Sequence, residues 1–130
     1  MVNEQDKIHA KNLIEEAKEI LEPCIRCGMC KSFCGVFKTL KEEAVSPRGQ
    51  AINLSDDVLS KLVFSCNLCK ACEEKCPVDV KVCEAIRKAR EALNLRGKGL
   101  KGNDEMIENV RRAGNPFGGK KADKDKLYCC

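Results

Sequence analysis

The chain has 130 residues, 11 of them cysteine, with 34% charged and 4% aromatic residues, no Trp and a formal net charge of +4. This length suits one domain, and no apolar run approaches the ~18–20 residues of a membrane span, which excludes a membrane-spanning protein and a large enzyme with its own substrate domain. The N-terminus, MVNEQDKIHAKN, is polar and lacks an apolar core, so no secretory signal is expected.

The pattern along the chain is helical. In residues 6–21, Ala10, Leu13, Ile14, Ala17, Ile20 and Leu21 form one apolar stripe. Asp6 is the expected N-cap and Pro23 the stop. A short helix through Phe33, Phe37 and Leu40 is expected after Cys30. Ser46-Pro47 starts the next, to about Leu54, since Ser caps well and Pro at the first helical position gives up an N–H that has no partner anyway. Ser55 or Asp56 then caps a helix carrying Val58, Leu59, Leu62 and Val63. Asp79 caps another, to about Arg96, with Val82, Ile86, Ala89 and Leu93 inward. Gly97, Gly99 and Gly102 read as a joint, after which Asn103 caps a short helix ended by Gly114-Asn115-Pro116-Phe117-Gly118-Gly119. No segment reads as a strand. The fold class is therefore all-α. We divide the chain into an N-terminal helix (1–22), a central domain (23–96) and a C-terminal helix and irregular basic tail (97–130).

Eight cysteines fall in two runs of one spacing. Cys24, Cys27, Cys30 and Cys34 form C-x2-C-x2-C-x3-C, and Cys66, Cys69, Cys72 and Cys76 repeat it 42 residues later, followed by Pro77. A disulfide framework spreads its cysteines to close long loops; four thiols within eleven residues converge instead. Structural zinc sites pair ligands from separate turns, and this spacing is tighter. It matches the run that binds two iron–sulfur cubanes, in which the fourth cysteine serves the other cluster. The expected ligands are Cys24, Cys27, Cys30 and Cys76 for the first 4Fe-4S cluster, and Cys66, Cys69, Cys72 and Cys34 for the second. The repeat implies a pseudo-twofold pair of cluster-binding halves.

The order C-x-x-C-G-x-C-x-x-x-C, then S-P-R-G, then C-x-x-C-x-x-C-x-x-x-C-P-V resembles the α-helical dicluster ferredoxin module. That module occurs in the C-type and D-type chains of heterodisulfide reductase, in the iron–sulfur subunit of glycolate or lactate oxidase, and in the C-type chain of anaerobic glycerol-3-phosphate dehydrogenase. The resemblance spans about residues 20–119, and Gly114-Asn115-Pro116-Phe117-Gly118 is similar to an element that follows the module in the D-type and glycolate oxidase relatives. Gly35 departs from the family, which has Pro after the fourth cysteine. The tail Leu127-Tyr128-Cys129-Cys130 is similar to the first strand of a cysteine-rich module present in the longer relatives, so residues 97–130 read as the stub of that module.

The implied function is one-electron relay as a subunit of an oxidoreductase complex, with a catalytic or flavin-containing subunit and a separate cysteine-rich subunit as partners. The alternatives are a free-standing soluble ferredoxin and a zinc-stabilised interaction module. No nucleotide motif or catalytic triad is present, and His9, the single histidine, reads as a surface residue. No catalytic residue is assigned. Residues 1–95 hold 15 Lys+Arg and 15 Asp+Glu, whereas 96–130 hold 9 and 5, giving the whole +4. Aromatics do not interleave with these basic residues, so nucleic acid is not an expected partner. No membrane span is expected, although a membrane-associated partner is compatible. Clusters of this kind imply a reducing, cytoplasmic and anaerobic setting. Arg26, Lys31, Lys70 and Lys75 lie inside the runs and should favour reduction. Phe33, Phe37 and Phe64 are expected to shield the clusters, and Arg48 to cap a helix or bridge toward a cluster. Cys83 is expected to be a buried structural thiol. Cys129 and Cys130 are taken as inert, with a mobile dithiol as the alternative.

Overall fold

The computed structural model describes residues 3–119, in which helices α1 (Glu4–Leu21), α2 (Gly35–Leu40), α3 (Pro47–Ser55), α4 (Ala71–Glu74), α5 (Val82–Leu95) and α6 (Lys101–Ala113) are joined by short 3₁₀ turns. The described residues contain no strand. Two compact units result, Met1–Lys98 and Gly99–Cys130.

The first unit is built on α1 against α5. The N-terminal half of α1 (Ala10, Leu13, Ile14) meets Ala92 near the end of α5. Its C-terminal part (Ala17, Leu21) joins Ala85, Ile86 and Ala89 nearer the start of α5. The two helices are thus antiparallel. Alanine at these positions lets them approach closely, because interaxial distance follows side-chain size. Lys88 ties the pair from outside through Glu16 at 2.6 Å. Leu54 of α3 and Val63 complete the core. Each fully buried side chain such as Leu21, Leu54 or Ile86 contributes about 1.5–3 kcal/mol. Cys24, Cys30, Cys66 and Cys76 pack on this core at the end of α1 and the start of α5.

Several helix starts differ from the sequence expectation. Asn3 rather than Asp6 caps α1: the Asn3 side chain accepts from Gln5 N–H, while Asp6 returns a bond to the Asn3 N–H. Asp6 is thus the third helical residue of a capping box. Ser46 caps α3 as expected, its Oγ accepting the Gly49 N–H at 2.9 Å with Pro47 at the first helical position. Gly49 is required there, since a Cβ would lie 1.9 Å from the Glu43 carbonyl oxygen. No helix carries Val58, Leu59, Leu62 and Val63; Ser60 caps a 3₁₀ turn, Lys61–Ser65. The segment after Cys30 is not one helix either. A 3₁₀ turn, Met29–Phe33, ends at an extended Cys34, which caps α2 through its own sulfur.

Asp79 does not cap α5. It has φ +52° and pairs with Lys81 at 2.5 Å. The cap comes from outside the helix, as the buried Glu73 carboxylate accepts the Cys83 N–H at 2.8 Å. A carboxylate at this end also complements the helix dipole.

In the second unit, α6 starts at Lys101 after Leu100, which makes no side-chain cap bond; Asn103 and Gly102 lie inside the helix. Gly114 ends it at φ +71°. The following turn folds back on α6, the Asn109 side chain donating to the Pro116 carbonyl at 3.1 Å and the Phe117 N–H donating to Asn115 Oδ1 at 2.9 Å. Met106, Ile107, Val110 and Phe117 are exposed. Among the described residues, no helix is long and apolar enough to cross a membrane. Cys129, Cys130 and the resemblance at Leu127-Tyr128 lie outside the described residues.

Candidate metal centre

The two cysteine runs fold the same way. Arg26 and Leu68, two residues into each run, both have φ +57°. Gly28 and Lys70, four residues in, have φ +80° and +63°. Alternate left-handed residues curl each loop so that its first three cysteines face one space. For a non-glycine residue this conformation costs roughly 1–2 kcal/mol, a strain three of these four positions carry.

Each loop closes over a cavity, and the fourth cysteine comes from the other run. The first cavity is lined by Cys24, Cys27, Cys30 and Cys76, with about 400 Å³ free of protein atoms, mouth included. The second is lined by Cys34, Cys66, Cys69 and Cys72, with about 370 Å³. Pro47, Cys72 and Val82 line both, and so form a common wall. Cys27 and Cys69 are exposed, Cys72 is buried and the other five are half-buried. The nine described cysteines are all free thiols.

Cys83 is a fifth thiol on the second cavity, 2% exposed. It is buried as expected, yet it faces the cavity as well as the core.

The donor set decides what these cavities can hold. A single zinc ion bound at about 2.3 Å needs sulfurs roughly 3.8 Å apart. Among the described residues, no three His, Cys, Asp or Glu side chains converge in that way. Cysteines spread around a cavity wall fit a polynuclear iron–sulfur group. Three backbone N–H groups already point at sulfur: Phe37 to Cys34 at 3.4 Å, Leu68 to Cys66 at 3.4 Å and Val80 to Cys76 at 3.3 Å. Such bonds favour thiolate and tune reduction potential. Burial of the thiols acts in the other direction. It raises the pKa of Cys30 and of Cys72, and pushes Cys83 up to about 11.

Charge gathers at the first cavity. Arg48 lines it and lies against Gly28, where an added Cβ would meet the guanidinium at 2.9 Å. Glu43 bridges Lys31 at 2.5 Å and Arg48 at 2.7 Å. The Lys31 hydrogen bond, with Arg48 adding to it, holds the Glu43 carboxyl below its ordinary range. Arg48 is held above its own usual value, first by Glu43 and further by the Cys30 and Cys27 charges. Arg26 lies 3.9 Å from Asp56.

The phenylalanines do not wall the cavities. Phe33 is 45% exposed and carries Lys75 over its ring, Phe37 carries Lys31, and Phe64 carries Arg90. Shielding falls to aliphatic residues instead: Val45 and Ile86 on the second cavity, Val78 and Val80 on the first. Gly35 opens α2, and a Cβ there meets nothing within 4 Å, so its departure from the family pattern leaves no packing gap. His9 is exposed on α1 as expected.

Sequence reasoning missed three supports. Glu73 caps α5. The buried Gln50 donates to the Leu62 carbonyl at 3.0 Å. Arg90 donates to the Val63 carbonyl at 2.9 Å and to the Cys66 carbonyl, fixing the entry to the second loop. The only sequence signal for Arg90 is its place on the same face of α5 as Ile86, four residues earlier; Glu73 and Gln50 carry none.

Comparison with known proteins agrees with this geometry. Residues 20–80 match the family described as the 4Fe-4S dicluster domain. The C2 chain of the H2/formate:CoB-CoM heterodisulfide,ferredoxin reductase of Methanococcus maripaludis is 31% identical over 111 residues, covering 83% of this chain and 60% of that protein. The C-type iron–sulfur chain of the CoB–CoM heterodisulfide reductase of Methanopyrus kandleri is 26% identical over 118 residues, covering 80% and 62%. The glycolate oxidase iron–sulfur subunit of Escherichia coli is 29% identical over 92 residues, covering 64% and 22%. The chain thus spans about three fifths of the length of the first two relatives. Residues 20–80 are thus similar to a 4Fe-4S dicluster domain, in line with two 4Fe-4S clusters, in a chain similar to the C-type iron–sulfur chains of heterodisulfide reductase and to the glycolate oxidase iron–sulfur subunit.

Proposed function

We propose that the chain relays electrons one at a time as the iron–sulfur subunit of an oxidoreductase complex, similar to heterodisulfide reductase or to a flavin-linked 2-hydroxy-acid dehydrogenase. Cys24, Cys27, Cys30 and Cys76 hold the first cluster, and Cys34, Cys66, Cys69 and Cys72 the second. The clusters supply one-electron oxidation and reduction. The observation that carries the reading is the pair of cysteine-lined cavities, each joining three thiols of one run to the fourth of the other, with one wall in common.

The residues of the chain have the remaining tasks. The loops fix three thiols each, and Cys34 and Cys76 tie the two runs together. Phe37, Leu68 and Val80 N–H groups stabilise negative charge on sulfur. Arg48 offsets charge gained at the first cavity when an electron arrives. The exposed Cys27 and Cys69 bring the edge of each cavity to the surface, where a partner can exchange electrons. The relatives are subunits of oxidoreductase complexes by name, and on that basis the partner is a catalytic or flavin-containing chain, with a separate cysteine-rich subunit.

The test is anaerobic reconstitution with iron and sulfide. The reading requires about eight iron per chain and two interacting paramagnetic centres after dithionite. Cys34→Ala and Cys69→Ala should each remove the same centre, leaving the other. Bound zinc with no paramagnetic signal overturns the function, and loss of different centres overturns the ligand sets. Stable association with a catalytic or flavin subunit supports the complex; a monomer reduced by many donors supports a free ferredoxin instead.

A further inference from the structure

The two cavities open on different surfaces. The exposed Cys27 stands at the mouth of the first and the exposed Cys69 at the mouth of the second. The 42-residue repeat pairs the residues around them. Ile25, beside Cys24, is 63% exposed, and its counterpart beside Cys66 is the polar Asn67. Met29 is 53% exposed, and its counterpart Ala71 is small and half-buried. Val78, after Cys76-Pro77, is 37% exposed, whereas Val36 at the equivalent place is half-buried. Ile25 and Val78 line the first cavity. Met29 follows the lining residue Gly28 without lining the cavity itself, so a group bound inside leaves it exposed.

Charge follows the same asymmetry. The charged side chains on the first cavity are both cations, Arg26 and Arg48; among the described residues, none lines the second. Glu43 engages Arg48 at 2.7 Å. Arg26 meets the Asp56 carboxylate only at 3.9 Å, too long for a hydrogen bond, and its side chain is 57% exposed. A guanidinium carries five N–H donors, which a second carboxylate can take up. Exposed apolar side chains gathered in one place and rimmed by polar groups mark an interaction surface, and Met and Arg are enriched in such surfaces. An electron passes between two chains only where their centres come close, so an occupant of this mouth is placed to exchange electrons.

We propose that the first mouth, formed by Ile25, Arg26, Met29 and Val78 around Cys27, is the docking face for the catalytic or flavin-containing subunit, which meets it with an apolar surface edged by carboxylates. This rests on the relay reading above and adds to it the side on which that subunit binds. In each exchange one electron leaves one centre and is gained by the other, and no atom is transferred. The apolar contact holds the chains together, and a partner carboxylate on Arg26 fixes their orientation.

The experiment purifies the tagged full-length chain anaerobically from its own host and counts, per chain, the redox subunit that elutes with it, identified by mass and by its own flavin or metal. Ile25→Gln and Met29→Gln together should lower that ratio by at least about tenfold with iron content unchanged. Ile8→Gln, at a similarly exposed isoleucine near the other end of α1, should stay within about threefold of wild type. Arg26→Glu should lower the ratio too, and more at low salt than at high salt, as a charge contact does. Bound zinc without a paramagnetic signal overturns the relay reading and this proposal together. A wild-type chain that holds both clusters but no redox subunit, or a double variant that keeps the subunit, overturns the proposal while the cluster assignment stands. Arg26→Glu binding as wild type overturns the acidic edge of the partner. If the double variant loses iron, crosslinking decides: a photoreactive side chain at Met29 should join the chain to the redox subunit, and one at Ala71 should not. Crosslinking from Ala71 alone, from both positions or from neither overturns the proposal.

Discussion

Replacing Gly49 with alanine tests how tightly α3 is held over the cavities. A Cβ at this position lies 1.9 Å from the Glu43 carbonyl oxygen, whereas real contacts stay beyond 3.0 Å. The backbone must therefore open by about 1.1 Å. That oxygen also accepts the Ser46 N–H at 3.0 Å, so the turn leading into the helix is disturbed as well. Overpacking of this kind costs about 1–3 kcal/mol, the turn hydrogen bond about 1 kcal/mol, and the better helix propensity of alanine returns about 0.5–1 kcal/mol. The net is a loss of about 1–3.5 kcal/mol. The control is Gly102→Ala, inside α6 with nothing within 4 Å of the added Cβ; there only the propensity gain applies. Anaerobic thermal scans of the cluster-loaded protein at one fixed rate, read by loss of visible absorbance, should place Gly49→Ala roughly 5–20 °C below wild type. Gly102→Ala should not fall below wild type. A Gly49→Ala curve that overlays wild type refutes the close approach of α3 to Glu43.

Glu73→Ala leaves the buried Cys83 N–H without a partner and should cost about 1–3 kcal/mol, whereas Glu73→Gln keeps an acceptor and should recover most of it; anaerobic urea denaturation compares them. Glu43→Gln removes the negative charge between Lys31 and Arg48, leaves more positive charge beside the first cavity, and should raise one of the two reduction potentials in a redox titration. Because the Glu43 carboxyl is held below its ordinary range, the stability it adds is complete above the unfolded carboxylate pKa and is lost as pH falls through its lower folded value. Glu43→Gln should therefore flatten the acid limb of a pH–stability profile. Iron chelation should abolish most of the helical circular dichroism, since metal binding supplies folding free energy and the cysteine loops carry strained residues that the empty chain cannot offset.

What the sequence disclosed was set by spacing. The repeated cysteine runs are local, so their shared spacing could be read directly, and Ser46-Pro47 marks its helix start with two residues of clear preference. The α1 stripe was visible because its period matches one helix face. Helix starts governed by distant groups were not visible. The cap of α5 is Glu73, ten residues earlier and reached only through the fold of the second loop. The charged run Glu73-Glu74-Lys75 looks like solvated surface in sequence, yet Glu73 is buried. The stretch Val58–Val63 has helical spacing but too little length, and its tertiary contacts favour a 3₁₀ turn instead. The phenylalanines were misread because their size suggests shielding, whereas three basic side chains use their faces.

The common wall of Pro47, Cys72 and Val82 has a consequence for assembly. A group settling in one cavity immobilises that wall and with it one side of the other cavity, while Cys34 and Cys76 carry the constraint across the two runs. The ordering cost is then met mainly by the first group to arrive, and the second finds its walls already in place. Loading is expected to be cooperative, with the chain passing from empty to doubly loaded through few half-loaded molecules.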